Sequence, residues 1–189
     1  PFTLEMSMLK EPWEKVQSRL ASLPGNQGIE QRRLAYAAYF LRLGEGVVIE
    51  QGCYFIHPDR IVLDDDVRIN INTVFYGSGG IHVGRHCRIG PGCFVHSANH
   101  DIHHDPEKAY FEKGYVYLPT KIEDNSLISA NVSILPGAVI GRNCFVACGA
   151  VVTRKQWPDN SKILGVPGIS RTATANHKQD DSDKIQIEA

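Results

Sequence analysis

The chain has 189 residues, with 20 lysines and arginines against 21 aspartates and glutamates, a net charge of −1. This length suits one domain with a sizeable core, and the near-neutral charge excludes the basic surface that binds nucleic acid or an anionic membrane. No apolar run reaches the roughly 20 residues of a membrane span, and the first residues lack a secretion-signal pattern. We therefore expect a cytoplasmic protein whose partners are small molecules or copies of itself.

The first 45 residues carry helical patterns that precede any repeat. Residues 8–22 predict a short helix begun or interrupted by Pro12, and residues 29–44 predict a second helix that ends at Gly44. The apolar face of the second helix would consist of Leu34, Ala37, Ala38 and Leu41. We expect this segment to cap the open end of the fold that follows. The alternative is an amphipathic membrane anchor with Arg32, Arg33 and Arg42 on its basic face.

A six-residue repeat organises residues 46–171. From residue 122 the chain reads IEDNSL, ISANVS, ILPGAV, IGRNCF, VACGAV and VT, so an isoleucine or valine opens each hexad. Earlier blocks open at Leu63, Ile69 and Phe75, and at Val83, Ile89 and Val95. A period of six fits neither a helix nor a lone strand. A short strand followed by a turn, repeated many times, stacks into a parallel β-helix with the openers in one internal column. A β-sandwich of short strands is the alternative.

The cysteines follow the same repeat. A small or β-branched residue lies four places after each opener, and four of the five cysteines occupy that position: Cys53, Cys87, Cys93 and Cys144. We interpret them as buried packing residues. The odd number and the lack of CxxC spacing argue against a disulfide framework or a structural zinc site. Cys148 alone lies outside the small-residue position.

Residues 99–120 interrupt the repeat, and a polar tail, residues 172–189, follows it. A long insertion in a compact repeat is typically a functional or a disordered loop. Four aromatic residues favour an ordered loop that packs on a surface: Tyr110, Phe111, Tyr115 and Tyr117. The stretch HSANHDIHHDP at the start of this loop holds four of the eight histidines. An imidazole in such a loop is suited to act as a general base near neutral pH.

The stretches IGPGCFVHSANHD, ISANVSILPGAVIGRNCFVACGAVVTR and ILGVPGISR resemble the hexapeptide-repeat acyltransferases of the maltose and galactoside O-acetyltransferase type. The resemblance implies a mainly β fold, a left-handed parallel β-helix of triangular section. It implies a homotrimer with active sites between neighbouring subunits. It also implies transfer of acetyl from acetyl-CoA, a co-substrate, to a hydroxyl of a carbohydrate such as a surface polysaccharide or its precursor, with no metal.

The resemblance also assigns roles to single residues. His100 of SANHD matches the catalytic base, and Glu112 of FEKG resembles a glutamate that would orient it, with Asp101 as the local competitor. The acceptor would contact Asn70, His96 and His103, and coenzyme A would contact Ala130, Cys148, Thr153, Arg154, Lys155 and Arg171. Where one galactoside-type motif has an acidic residue, this chain has Ser78, so a galactoside acceptor is not implied.

Several other functions stay open. One alternative is an N-acetyltransferase that acts on an amino sugar. Another is an acetyltransferase that acts on a xenobiotic. A zinc lyase of the γ-class carbonic anhydrase type is a further alternative, because His82 and His100 are eighteen residues apart, as are His86 and His104. Such a site needs three ligands converging on the metal, with water in the fourth place. An inactive scaffold is the last alternative.

Overall fold

The computed structural model describes residues 11–102, 105 and 107–171, with the backbone alone at positions 110 and 171. Its strands, β1 to β20 in chain order, belong mostly to three parallel sheets that wind into a β-helix of about six coils. The prediction of a mainly β solenoid built from hexads, preceded by helices, is therefore confirmed.

Each coil contributes one strand to each of three faces. Face A consists of β1 (Arg42–Leu43), β4 (Ile61–Leu63), β7 (Ile81–Val83), β12 (Thr120–Ile122), β15 (Val139–Ile140) and β18 (Gln156–Trp157). Face B consists of β2 (Val48–Ile49), β5 (Arg68–Ile69), β8 (Arg88–Ile89), β13 (Leu127–Ile128), β16 (Phe145–Val146), β19 (Lys162–Leu164) and the antiparallel β20 (Ile169–Arg171). Face C consists of β3 (Tyr54–Ile56), β6 (Val74–Tyr76), β9 (Phe94–His96), β14 (Ser133–Ile134) and β17 (Val151–Val152). The turns between faces form three edges, which we name A–B, B–C and C–A.

The hexad openers stack into columns inside the coil. On face C the aligned residues are Phe55, Phe75, Val95, Ile134 and Val152, each at most 1% exposed. The rings of Phe55 and Phe75 stack with centroids 5.2 Å apart. Full burial of a large apolar side chain stabilises a fold by about 1.5–3 kcal/mol. Burial in such a column explains why an apolar residue recurs at the same position of each hexad.

The four cysteines in the small-residue position are buried, as predicted, whereas Cys148 is exposed. Their thiols contact backbone carbonyls at the turns; the Cys93 thiol, for example, lies 3.0 Å from the carbonyl oxygen of Ser129. Burial raises the pKa of Cys53 and of Cys87 to about 11. These thiols therefore stay protonated and act as small apolar residues.

The A–B edge turns through one left-handed residue in almost every coil. These residues are Asp66, His86, Asn125, Asn143 and Asn160, with φ between 55° and 62°. Asparagine and aspartate tolerate this conformation because their short polar side chains bond locally. Here the Asn125 amide donates to Oδ1 of Asn143 at 2.8 Å, so a side-chain hydrogen bond links the turns of two successive coils.

The C–A edge is longer in the early coils than in the late ones. Val62 pairs with His82, twenty residues further on, whereas Lys121 pairs with Val139, eighteen residues further on. The extra residues lie in the turns at 57–60 and 77–80, which join face C to face A. The loop at 97–119 leaves the coil at this same edge. The longer turns and the loop therefore protrude along the same edge, the C–A edge, where a site can form between them.

Two helices cover the first coil, as the sequence predicted. Helix α1 (Trp13–Leu20) begins directly after Pro12. The amide of Gln17 bonds to both backbone groups of Phe55, accepting from its N–H at 2.6 Å and donating to its carbonyl at 3.2 Å. Val16 and Leu20 lie in the core cluster. The pairing closes the exposed end of the β-helix, which a solenoid requires.

Helix α2 (Gly25–Tyr36) differs from its prediction at both ends. It ends eight residues before Gly44, and the face predicted to be apolar is exposed, with Leu34 at 61% and Leu41 at 65%. The buried face instead carries Arg32, whose guanidinium donates to the carbonyls of Leu20, Leu23 and Ile49. Because Arg32 caps α1 and joins it to the coil, it does not form the basic face of a membrane anchor. No helix in the described part of the chain is long and apolar enough to cross a membrane.

Candidate functional site

The chain leaves the coil after β9 and returns to it at β12, and the described part of this loop contains an antiparallel hairpin. Strand β10 (Ala98–His100) pairs with β11 (Tyr115–Tyr117), so that His100 lies opposite Tyr115. The backbone N–H of Asp101 donates to the carbonyl of Gly114 at 3.1 Å and extends the pairing. The loop is therefore ordered where the candidate base lies.

Two buried hydroxyls hold the root of the hairpin. Ser97 Oγ donates to the carbonyl of Tyr76 at 2.6 Å and accepts from the N–H of Gly79 at 2.9 Å. Thr120 Oγ1 donates to the carbonyl of His96 at 2.5 Å and accepts from the N–H of Gly137 at 3.2 Å. Sequence reasoning missed both residues, because each looks like an ordinary small residue at the end of the repeat.

His100 lies on the exposed side of the hairpin, against an aromatic ring. Its imidazole and the Tyr115 ring have centroids 4.4 Å apart at an interplanar angle of 34°. Its backbone N–H donates to Oδ1 of Asn99 at 3.0 Å. His100 is exposed beside a cleft, and within the described residues its ring nitrogens make no hydrogen bond.

That cleft, which we name the hairpin cleft, has a volume of about 530 Å³. It is lined by Ile56, His57, Tyr76, Ser78, His96, Ala98, Asn99, His100, Tyr115 and Tyr117. Its volume falls within the about 300–1,000 Å³ of small-molecule sites. Imidazole, hydroxyl and amide groups offer hydrogen bonds there, and the described residues that line it include no lysine, arginine, aspartate or glutamate.

His96 lies on the floor of the hairpin cleft. Its ring stacks on Tyr76 at 5.3 Å and on Phe94 at 5.8 Å between centroids. Burial lowers the pKa of His96 below its usual value, because removal from water disfavours the imidazolium. His96 is therefore neutral at physiological pH and can both donate and accept a hydrogen bond.

The predicted orienting residue, Glu112, lies elsewhere in the loop. Its Oε2 accepts from the N–H of Ala109 at 2.9 Å and closes the short 3-10 turn Tyr110–Glu112. It is not among the residues that line the hairpin cleft. His103 lies outside the described residues, as does the side chain of Arg171.

The remaining predicted residues divide between two edges. Thr153, Arg154 and Lys155 follow β17 at the C–A edge, two coils beyond His96. The Lys155 ammonium lies 3.8 Å from the centre of the Trp157 ring, a cation–π contact. The hairpin cleft and this cationic turn therefore lie along the same edge of the coil.

Asn70, Ala130 and Cys148 lie instead at the B–C edge, on the far side of face C. The Asn70 amide donates to the carbonyl of Ile89 at 3.1 Å, and Asn70 does not line the hairpin cleft. The amide N–H of Gly149 donates to the carbonyl of Ala130 at 3.0 Å, which links Ala130 and the turn at Cys148 in successive coils. One chain alone does not bring these residues to His100.

Two of the four histidines of the zinc alternative, His82 and His86, lie beside carboxylates, and His104 lies outside the described residues. His82 Nε2 lies 2.8 Å from Oδ2 of Asp64, and His86 Nδ1 lies 3.3 Å from Oδ2 of Asp66. In the described ranges no group of three or more histidine, cysteine, aspartate and glutamate side chains is arranged to hold a metal ion.

The chain is similar to known proteins in sequence and in fold. Residues 119–154 match the family model described as bacterial transferase hexapeptide (six repeats). The chain is 29% identical to a galactoside O-acetyltransferase of Escherichia coli strain K12, over 74% of this chain and 66% of the relative. It is 30% identical to a galactoside O-acetyltransferase of Lactococcus lactis, over 73% of this chain and 65% of the relative. The chain thus spans just under two thirds of the length of these relatives.

Solved structures agree on the fold. A hexapeptide-repeat-containing acetyltransferase of Vibrio cholerae O1 biovar eltor, complexed with acetyl coenzyme A, superimposes with a TM-score of 0.75. The match covers 91% of each chain at 24% sequence identity. The β-helix and the resemblance to hexapeptide-repeat acyltransferases of the galactoside type are both confirmed.

Proposed function

We propose that this protein is an acyltransferase that moves the acetyl group of acetyl-CoA to a hydroxyl of a carbohydrate, in the hairpin cleft. The observation that carries the proposal is the position of His100. It lies at the start of an ordered hairpin, beside a cleft lined by neutral polar and aromatic groups. The relatives named galactoside O-acetyltransferase and the neighbour complexed with acetyl coenzyme A support the reaction and the co-substrate.

His100 would act as the general base of a direct transfer. Its imidazole accepts the proton of the acceptor hydroxyl while the hydroxyl oxygen bonds to the thioester carbonyl carbon. The tetrahedral intermediate then collapses, the carbon–sulfur bond breaks, and the imidazolium returns a proton to the departing thiolate of coenzyme A. The products are an acetyl ester and free coenzyme A. The orientation of His100 by Glu112 stays a prediction.

The lining of the hairpin cleft favours a neutral sugar. Tyr76, Tyr115 and Tyr117 offer apolar faces with polar tips, on which the C–H face of a sugar ring packs. Ser78 and His96 offer hydrogen bonds to hydroxyls without a net charge. The described lining residues offer no lysine or arginine to the phosphates of a nucleotide sugar, which favours an acceptor without them. A surface polysaccharide or its precursor satisfies these conditions.

Coenzyme A would lie along the C–A edge beside His100. Arg154 and Lys155 would supply positive charge to its phosphates, and Thr153 precedes them in the same turn. Asn70, Ala130 and Cys148 would join the site from the B–C edge of a second copy. The separation of the two edges by face C supports a homotrimer in which each site is completed by a neighbour. The cytoplasmic location stays a prediction.

The test is release of the coenzyme A thiol from acetyl-CoA across a panel of neutral sugars, amino sugars and nucleotide sugars. We expect turnover with a neutral sugar, and we expect His100→Ala to lower kcat/KM about 100-fold or more, the range of a lost general base. His86→Ala is the matched control, because His86 is an exposed histidine at the A–B edge. Turnover that survives His100→Ala, or no turnover with any acceptor, contradicts the proposal. Preference for an amino sugar would instead indicate an N-acetyltransferase.

A further inference from the structure

A second cleft lies under helix α1, which we name the helix cleft. Its volume is about 430 Å³. The residues that line it include Trp13, Glu14, Tyr54, Ile56, His57 and Asp59. The two clefts share Ile56 and His57 in their linings, so they lie next to each other between α1 and the hairpin.

We infer that the helix cleft binds a further sugar ring of the acceptor, so that the acceptor is a neutral oligosaccharide of at least two rings. This inference rests on the proposed function, which sets one ring of the acceptor in the hairpin cleft beside His100. A ring that follows along the C–A edge then lies over Ile56 and reaches the helix cleft.

The aromatic groups of the helix cleft are held in fixed positions. The indole N–H of Trp13 donates to the carbonyl of Phe55 at 2.9 Å, and its ring packs against Tyr36 and Tyr39. Tyr54 stands on the outer side of face C with 47% of its surface exposed. Rigid, partly exposed aromatic rings provide apolar contact at a small cost in conformational entropy.

Polar groups surround these rings. Glu14 is exposed in the first turn of α1 and makes no hydrogen bond or ion pair within the described part of the chain. Asp59 is also exposed and lies 3.9 Å from the Arg60 guanidinium, too far for a direct hydrogen bond. Carboxylates accept hydrogen bonds from sugar hydroxyls. The two carboxylates would repel a uronate or a phosphate, so the ring bound here is neutral.

His57 stands where the two clefts meet. It is the one described residue other than glycine with a left-handed backbone at the C–A edge, with φ of 54°. Its side chain is half exposed and lies 3.9 Å from Asp59, measured from Nδ1 to Oδ1. An imidazole at this junction can bond a hydroxyl on either of two linked rings, which supports one ligand spanning both clefts.

The binding test uses the protein's own tryptophans, Trp13 and Trp157. Trp157 is fully buried at the opposite end of the coil, so Trp157→Phe leaves Trp13 as the reporter in the helix cleft. We expect maltotriose or β-1,4-galactotriose to change Trp13 fluorescence with a Kd at least tenfold below that of the matching monosaccharide. Equal Kd values for trisaccharide and monosaccharide, or no change with either trisaccharide, overturns the inference.

A kinetic test follows in the full chain. We expect Tyr54→Ala to lower the ratio of trisaccharide to monosaccharide kcat/KM about tenfold, and Tyr54→Phe to keep that ratio. Phe145→Ala is the matched control, because Phe145 is an exposed aromatic residue in a strand of face B. An unchanged ratio in Tyr54→Ala contradicts the inference.

The two proposals fail in different ways. If thiol release depends on His100 but trisaccharides do not change Trp13 fluorescence, the acyltransferase proposal is supported and the second subsite is contradicted. If trisaccharides change Trp13 fluorescence but no thiol is released, oligosaccharide binding is supported and the proposed reaction is contradicted.

Discussion

The hydroxyl of Ser97 is expected to stabilise both the fold and the site. In Ser97→Ala the N–H of Gly79 loses its acceptor, whereas the carbonyl of Tyr76 keeps the bond from the Ser97 backbone N–H at 3.0 Å. An unsatisfied buried donor costs about 1–3 kcal/mol. We therefore expect the free energy of unfolding to fall by about that amount, and the hairpin that carries His100 to become less ordered.

Urea unfolding at one fixed protein concentration measures the change. With a slope m of about 2 kcal/mol/M, the midpoint should fall by about 0.5–1.5 M. Ser133→Ala is the control, because Ser133 is a half-buried serine on face C without a side-chain hydrogen bond in the described residues. We expect its midpoint to change by less than about 0.25 M. A Ser97→Ala midpoint as close to wild type as that of the control refutes the reasoning, as does wild-type kcat in a destabilised variant.

Single contacts at His96, Gly79 and Cys148 can each be tested. Burial lowers the pKa of His96 in the folded protein, so its contribution to stability should be complete above the unfolded pKa of about 6.5 and be lost as pH falls through the lowered folded pKa. His96→Phe should therefore reduce the loss of unfolding free energy over that pH range. Wild-type and variant plots of unfolding free energy against pH that run parallel would contradict this. In Gly79→Ala the new Cβ would overlap the backbone carbonyl of Ser97, so we expect a thermal midpoint several degrees lower, and an unchanged one would show that the backbone adapts. Iodoacetamide at pH 8 should alkylate one of the five thiols of the native protein, that of exposed Cys148, and labelling of buried Cys53 would show that the coil opens.

The hexad pattern predicted the coil because its signal is local. Each opener such as Val95 or Ile134 is buried against the apolar opener of the next coil, so burial repeats along the chain with a fixed period. The small position four places later meets the corner of the coil, which explains the packing role of the cysteines. Neither inference needs contacts with a distant element.

The helical segment shows where local reasoning ends. The prediction for α2 followed the apolar residues Leu34 and Leu41, yet the helix buries Arg32 and Tyr36 against the first coil. Arg32 finds acceptors on Leu20, Leu23 and Ile49, and these carbonyls are brought together only by the fold. An arginine that donates to several carbonyls can be buried, and no pattern in the sequence reveals those partners.

The repeat, the burial of four cysteines and the loop in which His100 lies could be predicted from the sequence, because period and interruption are properties of a linear chain. Which of the predicted residues share a site depends on the folded coil. Turns eighteen or twenty residues apart meet at one edge of the coil, so Thr153 lies on the same edge as His96 while Asn70 lies across face C. The contact of His100 with Tyr115 and the joining of two clefts at His57 likewise depend on how the coil and hairpin fold in space.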